Sequence, residues 1–587
     1  MNVLLLSRVD NEILEDLATD TLLFRHDLVR KGPRHLSRFL RQNPVSVIVT
    51  ADRVDADVLA EWSRAANKPV YVAVYGEAGT DKAWQRQLAT SQITVLGPAT
   101  SVVAAFRDAE QCICNDQFGG GVHTDLREEV TFIGAGIVNL ITAHYAIEAG
   151  YSVRIIDARP DPRRKTDWRS LGCSAGGGDA RMFTLSEMDN YNCRNIHGDM
   201  NWQFSRPVTE RGWNVAPSSS LKEAERDWIA SFESVPGWLA ENYNDSIFRF
   251  NRESHPLWDD WIAREPELFA ASGLQRDILR VYSDATHFQR SKSRQDRIGA
   301  TLRNASLDEI AAEQPILRRA IEAGEISGGV YVQGFTLNLH RFMANLLDRY
   351  EGRGVVFEWN TEMTSMPTRF DGQVDHVVLS TGERVTGNLV ISPGVYAGAA
   401  IAKTASHRQI CGVLGAWLSL PDPQGLLRNS LKLARKNHVT EDANVTIGWG
   451  EQGERAAIIG SGYGFTGFNP NNIDEDLLNT IYDGLIDTAA TCFPEQYQSL
   501  IEAGSLRETL KYCVRPWTPS GLGLFETYKS KACCVVLVGG HNTGGFAQAP
   551  AIASAILAAM RNNHHQMHID YHTDRLSLMT QTDMWMT

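Results

Sequence analysis

The sequence has no Cys-x-x-Cys pair and no zinc-like spacing among its nine cysteines, which argues against a structural metal site or a redox dithiol. Cys112 with Cys114, and Cys533 with Cys534, read instead as interior thiols kept reduced. No apolar run reaches the roughly 18 residues of a membrane-spanning helix. The opening MNVLLLSRVDNEILEDL interrupts its apolar stretch with charge too early for a signal peptide. A soluble, cytoplasmic protein with no membrane partner is therefore expected. Long blocks of one charge sign are missing as well, and the net charge of −13 offers no electrostatic footprint for nucleic acid. There is no internal repeat and no low-complexity tract. The His-rich stretch containing His564, His565 and His568 matches no standard ligand spacing, so no metal is expected.

What is present is an ordinary globular composition, 43% hydrophobic and 22% charged over 587 residues. At roughly 150 residues per domain this suggests three or four domains. Apolar runs at 2–6, 46–50, 69–74 and 92–96 alternate with helical patterns such as 56–66. That alternation predicts a small α/β domain over 1–115. Its first strand leads into Ser-Arg-Val-Asp rather than a glycine-rich loop, so the domain carries no phosphate-binding signal. A docking or dimerisation role, with homo-oligomerisation through this domain, is the expectation. A glycine-rich linker follows at 116–128.

Residues 130–157, VTFIGAGIVNLITAHYAIEAGYSVRIID, place a strand, a glycine turn, a helix and a second strand in register. This is the setting of a dinucleotide site. Gly134 permits the tight turn. Ala135 and Gly136 bring the backbone close to a pyrophosphate at the helix amino terminus. Asp157, with Ala158 and Arg159 after it, is placed to meet the adenosine ribose. Asn139 stands where the third glycine is usual, positioned to bond a phosphate or to cap the turn. The pattern alone does not separate NAD from FAD.

Four further segments occur in sequence: RSLGCSAGGGDARMFT at 169–184, DHVVLSTGERVTGNLVISPGVYAG at 375–398, KYCVRPWTPSGLG at 511–523 and GGHNTGGFAQAPAIA at 539–553. With the nucleotide motif they resemble the superfamily of D-amino-acid oxidase, glycine oxidase and sarcosine oxidase. The resemblance implies an α/β chain with a Rossmann-type FAD-binding domain (129–200, 331–405 and 506–562) and a mixed-sheet α+β substrate domain (201–330 and 406–505). The small amino-terminal domain precedes them and a tail at 563–587 follows. FAD is the implied cofactor. Gly176, Gly177, Gly178, Asp179 and Arg181 would pass along the flavin, Gly394 would return the chain to the dinucleotide fold, and Gly540, Asn542, Thr543, Gly544, Gly545 and Phe546 would close the site.

The implied reaction is oxidation of a C–N bond in an amino acid or amine by hydride transfer to the flavin, with O₂ or another acceptor taking the electrons. Arg515 aligns with the arginine that grips a substrate carboxylate. Arg181, Tyr463 and His541 are further candidates for the reacting centre. Cys513 is where a thioether to flavin would form on the sarcosine-oxidase pattern, whereas the Val-Arg-Pro after it resembles the non-covalent relatives. Two rival readings are a flavin monooxygenase and an amine-oxidising module acting on a modified macromolecule such as tRNA. The carboxyl-terminal motifs disfavour the first and the acidic charge the second.

Overall fold

The computed structural model describes the chain except residues 67, 90–91, 120–127, 165–179, 189–220, 370–371, 397, 437, 450–452, 532 and 581–587. The chain divides into two units. One comprises Met1–Gly120, Ser234–Tyr243 and His572–Thr587; the other comprises Gly121–Glu233 and Asn244–Tyr571.

The first unit is built on five parallel strands, Asn2–Leu5, Leu22–Phe24, Val45–Thr50, Val70–Tyr75 and Ile93–Ala99, ordered second, first, third, fourth, fifth. The central strands are almost wholly apolar because both of their faces are buried, as a parallel sheet under helices requires. Leu22–Phe24 was not legible in the sequence: three half-buried residues give no usable period. Helix Val102–Phe118 continues into the first residues of the expected linker.

The segment expected to be a solvated tail is instead folded through Thr580. In the second unit, helix Met567–Asp570 is buried. His565 Nε2 lies 2.8 Å from Glu253 Oε1, and His568 Nε2 bonds the Ala555 carbonyl. In the first unit, helix Arg575–Thr580 buries Arg575, whose Nε and Nη2 donate to the two Glu110 carboxylate oxygens at 2.7 and 3.0 Å. Asn242 Nδ2 donates to the same carboxylate at 2.8 Å. The fully buried charges are thus paired and hydrogen-bonded, the condition under which burial is tolerated.

The second unit holds the dinucleotide motif. Its six-stranded sheet runs Val356–Trp359, Ser152–Asp157, Glu129–Ile133, Gly387–Ile391, Cys533–Gly539, Leu524–Lys529. The first five strands are parallel and the last is antiparallel. Helices Ile137–Glu148 and Gly545–Met560 pack together against it. They are apolar almost all round, as covered helices must be. A small antiparallel meander, Met363–Ser365, Val377–Leu379 and Arg384–Val385, precedes the Gly387–Ile391 strand.

A second sheet of nine strands runs Thr301–Ala305, Gly328–Asn338, Gln275–Tyr282, Ser430–Ala434, Asp442–Trp449, Arg455–Gly467, Cys411–Pro421, Leu510–Trp517, with Ala180–Thr184 paired to Gly328–Asn338. Three of these strands, Ala180–Thr184, Leu510–Trp517 and most of Gly328–Asn338, come from stretches the sequence reading placed in the nucleotide domain. The strands alternate in character. Leu431, Leu433, Val445, Ile447 and Ile459 join one apolar core, and Lys432, Asn444, Thr446 and Trp417 line a cavity on the other side. Among the described residues no helix is long and apolar enough to cross a membrane.

Candidate functional site

The first strand of the dinucleotide motif ends in a turn that only glycine fits. Gly134 has φ +100°, and a Cβ there would lie 2.7 Å from the Ser392 carbonyl oxygen. Its N–H donates to the Ile156 carbonyl at 2.7 Å. Gly136 caps helix Ile137–Glu148 without a side-chain cap, and no heavy atom lies within 4 Å of its Cβ position. The helix therefore presents uncapped first-turn N–H groups beside open space, which suits a pyrophosphate.

Asn139, at the third-glycine position, is fully buried. Its Nδ2 donates to the carbonyls of Ile133 and Gly134 at 3.0 and 2.8 Å. Of the two roles expected for it, the bonds present are those that pin the turn. Asp157 accepts from the Ala135 N–H at 2.6 Å and the Arg159 N–H at 2.7 Å, while burial raises its pKa above the ordinary carboxylate value. Ala158 and Arg159 line the same space, and the Arg159 guanidinium lies 5.1 Å from the Tyr396 ring centre.

From this turn a cavity of about 440 Å³ extends to the nine-stranded sheet. Gly394, with φ +57° and no atom within 4 Å of its Cβ position, forms part of its wall. Gly540, Asn542, Thr543, Gly545 and Phe546 form another part. Gly540 has φ +67°, and Asn542 Nδ2 ties the turn to the Gly521 carbonyl at 3.0 Å. Gly544 is not in the wall: a Cβ there would meet the Met188 side chain. His541 lies in the wall beside Trp517 and is buried. Its Nε2 has no hydrogen-bond partner among the described residues. Burial pushes its pKa down to about 4, so the ring is neutral at pH 7.

Arg515 enters the cavity from strand Leu510–Trp517. Its guanidinium occupies the place a side chain at Gly415 would take, since a Cβ there would lie 1.6 Å from Nη2. Nη2 donates to the Gly462 carbonyl at 2.8 Å, and the guanidinium carbon lies 5.0 Å from the Tyr463 ring centre. Among the described residues no carboxylate forms an ion pair with Arg515. Tyr463 is buried against Trp517. Cys513, two residues before Arg515, shares its face of the sheet and packs with Trp417 and Ile458. Gly176, Gly177, Gly178 and Asp179 lie outside the described residues. Arg181 is described by its backbone, which pairs with Leu337.

Sequence reasoning missed Lys432 and Glu187. Both line the cavity, and Lys432 Nζ lies 3.0 Å from Glu187 Oε2. A lysine between apolar neighbours in Ser-Leu-Lys-Leu-Ala was the available signal. Its partner, 245 residues away, was not locatable by spacing.

The family model described as FAD dependent oxidoreductase matches residues 129–560. The D-amino acid dehydrogenase of Vibrio vulnificus (strain CMCP6) is 22% identical over 299 residues, covering 49% of this chain and 66% of that protein. The D-amino acid dehydrogenase of Sinorhizobium medicae is 24% identical over 311 residues, covering 50% and 67%. The chain thus spans about two thirds of the length of the curated relatives it matches. Among solved structures, glycine oxidase from Bacillus cereus aligns with a TM-score of 0.49 at 14% identity, covering 76% of this chain and 98% of that one. L-proline dehydrogenase from P. horikoshii aligns with a TM-score of 0.49 at 15% identity, covering 77% and 98%.

Proposed function

The chain belongs to the FAD dependent oxidoreductase family, and from that premise we propose that it oxidises the C–N bond of an amino acid or related amine to an imine, which water splits to an oxo acid or aldehyde and the freed amine. The observation that carries this reading is Arg515, a guanidinium in the cavity wall with no carboxylate partner among the described residues. Such a fork is the best protein anchor for a substrate carboxylate.

The residues of the first turn fit FAD: Gly134 and Gly136 give the backbone approach, Asn139 fixes the turn, and Asp157 stands at its edge. Bound there, FAD supplies the acceptor for a hydride. The chain's own part is orientation and exclusion of water. Arg515 holds the carboxylate, with the Tyr463 ring beside the guanidinium. The substrate amine has to react uncharged, because a positive nitrogen opposes loss of hydride from its carbon. His541, with a pKa near 4, is too weak a base to hold the amine proton at neutral pH.

The test is anaerobic titration of the FAD-bound protein with D- and L-amino acids and N-methyl amines. Bleaching of the flavin band by a free amine, without NADPH, is expected. A band that only NADPH bleaches would overturn the reading in favour of a monooxygenase. Acid precipitation of the same sample should leave flavin in the supernatant; flavin in the pellet would mark a thioether at Cys513. Mixing the reduced protein with O₂ then separates an oxidase from a dehydrogenase.

A further inference from the structure

Beyond the Arg515 anchor, the cavity reaches a polar row on the nine-stranded sheet. Lys432, Asn444, Gly460 and Trp417 are successive cross-strand partners, and all four line the cavity. Gly460 brings no side chain, and the nearest atom to its Cβ position is the Trp417 Cβ at 3.7 Å. The row therefore has a recess at its middle. At one end Lys432 is 5% exposed, with Nζ 3.0 and 3.1 Å from the two Glu187 oxygens. Glu187 also accepts from Thr184 Oγ1 at 3.0 Å. An ammonium carries three N–H bonds. Among the described residues Glu187 is the only hydrogen-bond acceptor for Lys432. The Asn444 amide makes no side-chain hydrogen bond among the described residues, although it too lines the cavity.

Charge narrows what can sit there. Among the described residues Lys432 and its cross-strand partner Arg280 are balanced by Glu187 and Asp442, both of which act on the Arg280 guanidinium and line the cavity. The described residues therefore give the recess no surplus positive charge to attract a second carboxylate. It holds unmet N–H donors, which a bare alkyl group would leave unpaired on closing out water. Position fits as well. Arg515 reaches the carbonyl of Gly462, two residues along the same strand from Gly460, a separation of about 7 Å. A side chain of about glutamine length, whose extended carboxylate carbon and terminal amide atoms lie about 6 Å apart, is the size that separation calls for.

Resting on the amino-acid reading above, we propose that the substrate side chain ends in an uncharged oxygen acceptor, a carboxamide or hydroxyl, received by Lys432 and Asn444. These two residues then set specificity, while Arg515 sets orientation.

The experiment measures anaerobic flavin reduction by matched pairs long enough to reach the recess, glutamine against 2-amino-5-methylhexanoate and 5-hydroxynorvaline against norleucine, with glutamate and 2-aminoadipate alongside, in both hands. The polar uncharged member of each pair is expected to react at least about tenfold faster in kcat/KM. Asn444→Leu should cut that ratio at least about tenfold while FAD absorbance per protein is unchanged. Lys432→Met alone leaves Glu187 buried without its ammonium partner, so Lys432→Met with Glu187→Leu is the informative second variant, and it should lower the ratio likewise. Equal or faster reduction by the aliphatic members, a preference for the acidic ones, or an unchanged ratio in Asn444→Leu would overturn this proposal alone. No reduction by any amine would overturn the amino-acid reading and this proposal with it.

Discussion

Arg515 can cross its neighbouring strand because position 415 carries no side chain. A methyl group at Gly415 would coincide with the guanidinium, so Gly415→Ala should mimic removal of Arg515 although it touches no substrate atom. Losing one charge-assisted anchor is worth about 2–4 kcal/mol, which is roughly thirtyfold to a thousandfold in kcat/KM. The expectation is a drop of that size in both Gly415→Ala and Arg515→Met, and little further loss in the double variant, read from stopped-flow flavin reduction. Additive losses would mean that Gly415 acts elsewhere. At this scale the sequence was half legible. Arg515 stood in a recognisable Val-Arg-Pro, but Gly415 and Lys432 lie in ordinary strand patterns, and only cross-strand register makes them neighbours of the site.

The glycine turn shows two glycines with different duties. Gly134 is held by its backbone angle and by the Ser392 carbonyl, so Gly134→Ala should lower the melting temperature of the protein even without FAD. Gly136 has an ordinary φ and faces open space. Gly136→Val should therefore leave the FAD-free protein close to wild type in thermal stability and weaken FAD binding at least about tenfold, as read by flavin fluorescence. The reverse pattern would move the nucleotide away from this turn. This element was legible because strand, turn, helix and strand are consecutive, so local periodicity carries the whole motif. In the nine-stranded sheet the strand patterns at 411–420 and 444–463 were legible and fall on Cys411–Pro421, Asp442–Trp449 and Arg455–Gly467, but the order of the sheet was not, because its strands come from residues 180 to 517. Their pairing is decided by packing against a shared core, which no local window contains. The same reason explains why Leu510–Trp517, read beside the flavin motifs, pairs with Cys411–Pro421 instead.

At the scale of the molecule, acid stability follows from buried imidazoles. His144, His541 and His568, all in the second unit, have pKa values pushed down to about 4 by burial. Their folded values lie below the ordinary value of about 6.5, so the unfolded chain binds protons first as pH falls. Their stabilising contribution is full above pH 6.5 and is lost between there and pH 4, by up to about 3 kcal/mol for each histidine. Urea unfolding between pH 7.5 and 4.5 should show a steady fall in midpoint. His144→Phe, which keeps the stacking against Trp261, should flatten part of that slope, and an unchanged slope would place the sensitivity elsewhere. The first unit raises a matter of timing. Glu110 waits for Arg575, which follows it by 465 residues. At synthesis rates of about 5–20 residues per second, roughly 20 to 90 seconds separate their emergence from the ribosome. Until then Glu110 lacks the arginine that makes its burial tolerable, so this unit is completed only once the chain through Arg575 has been made.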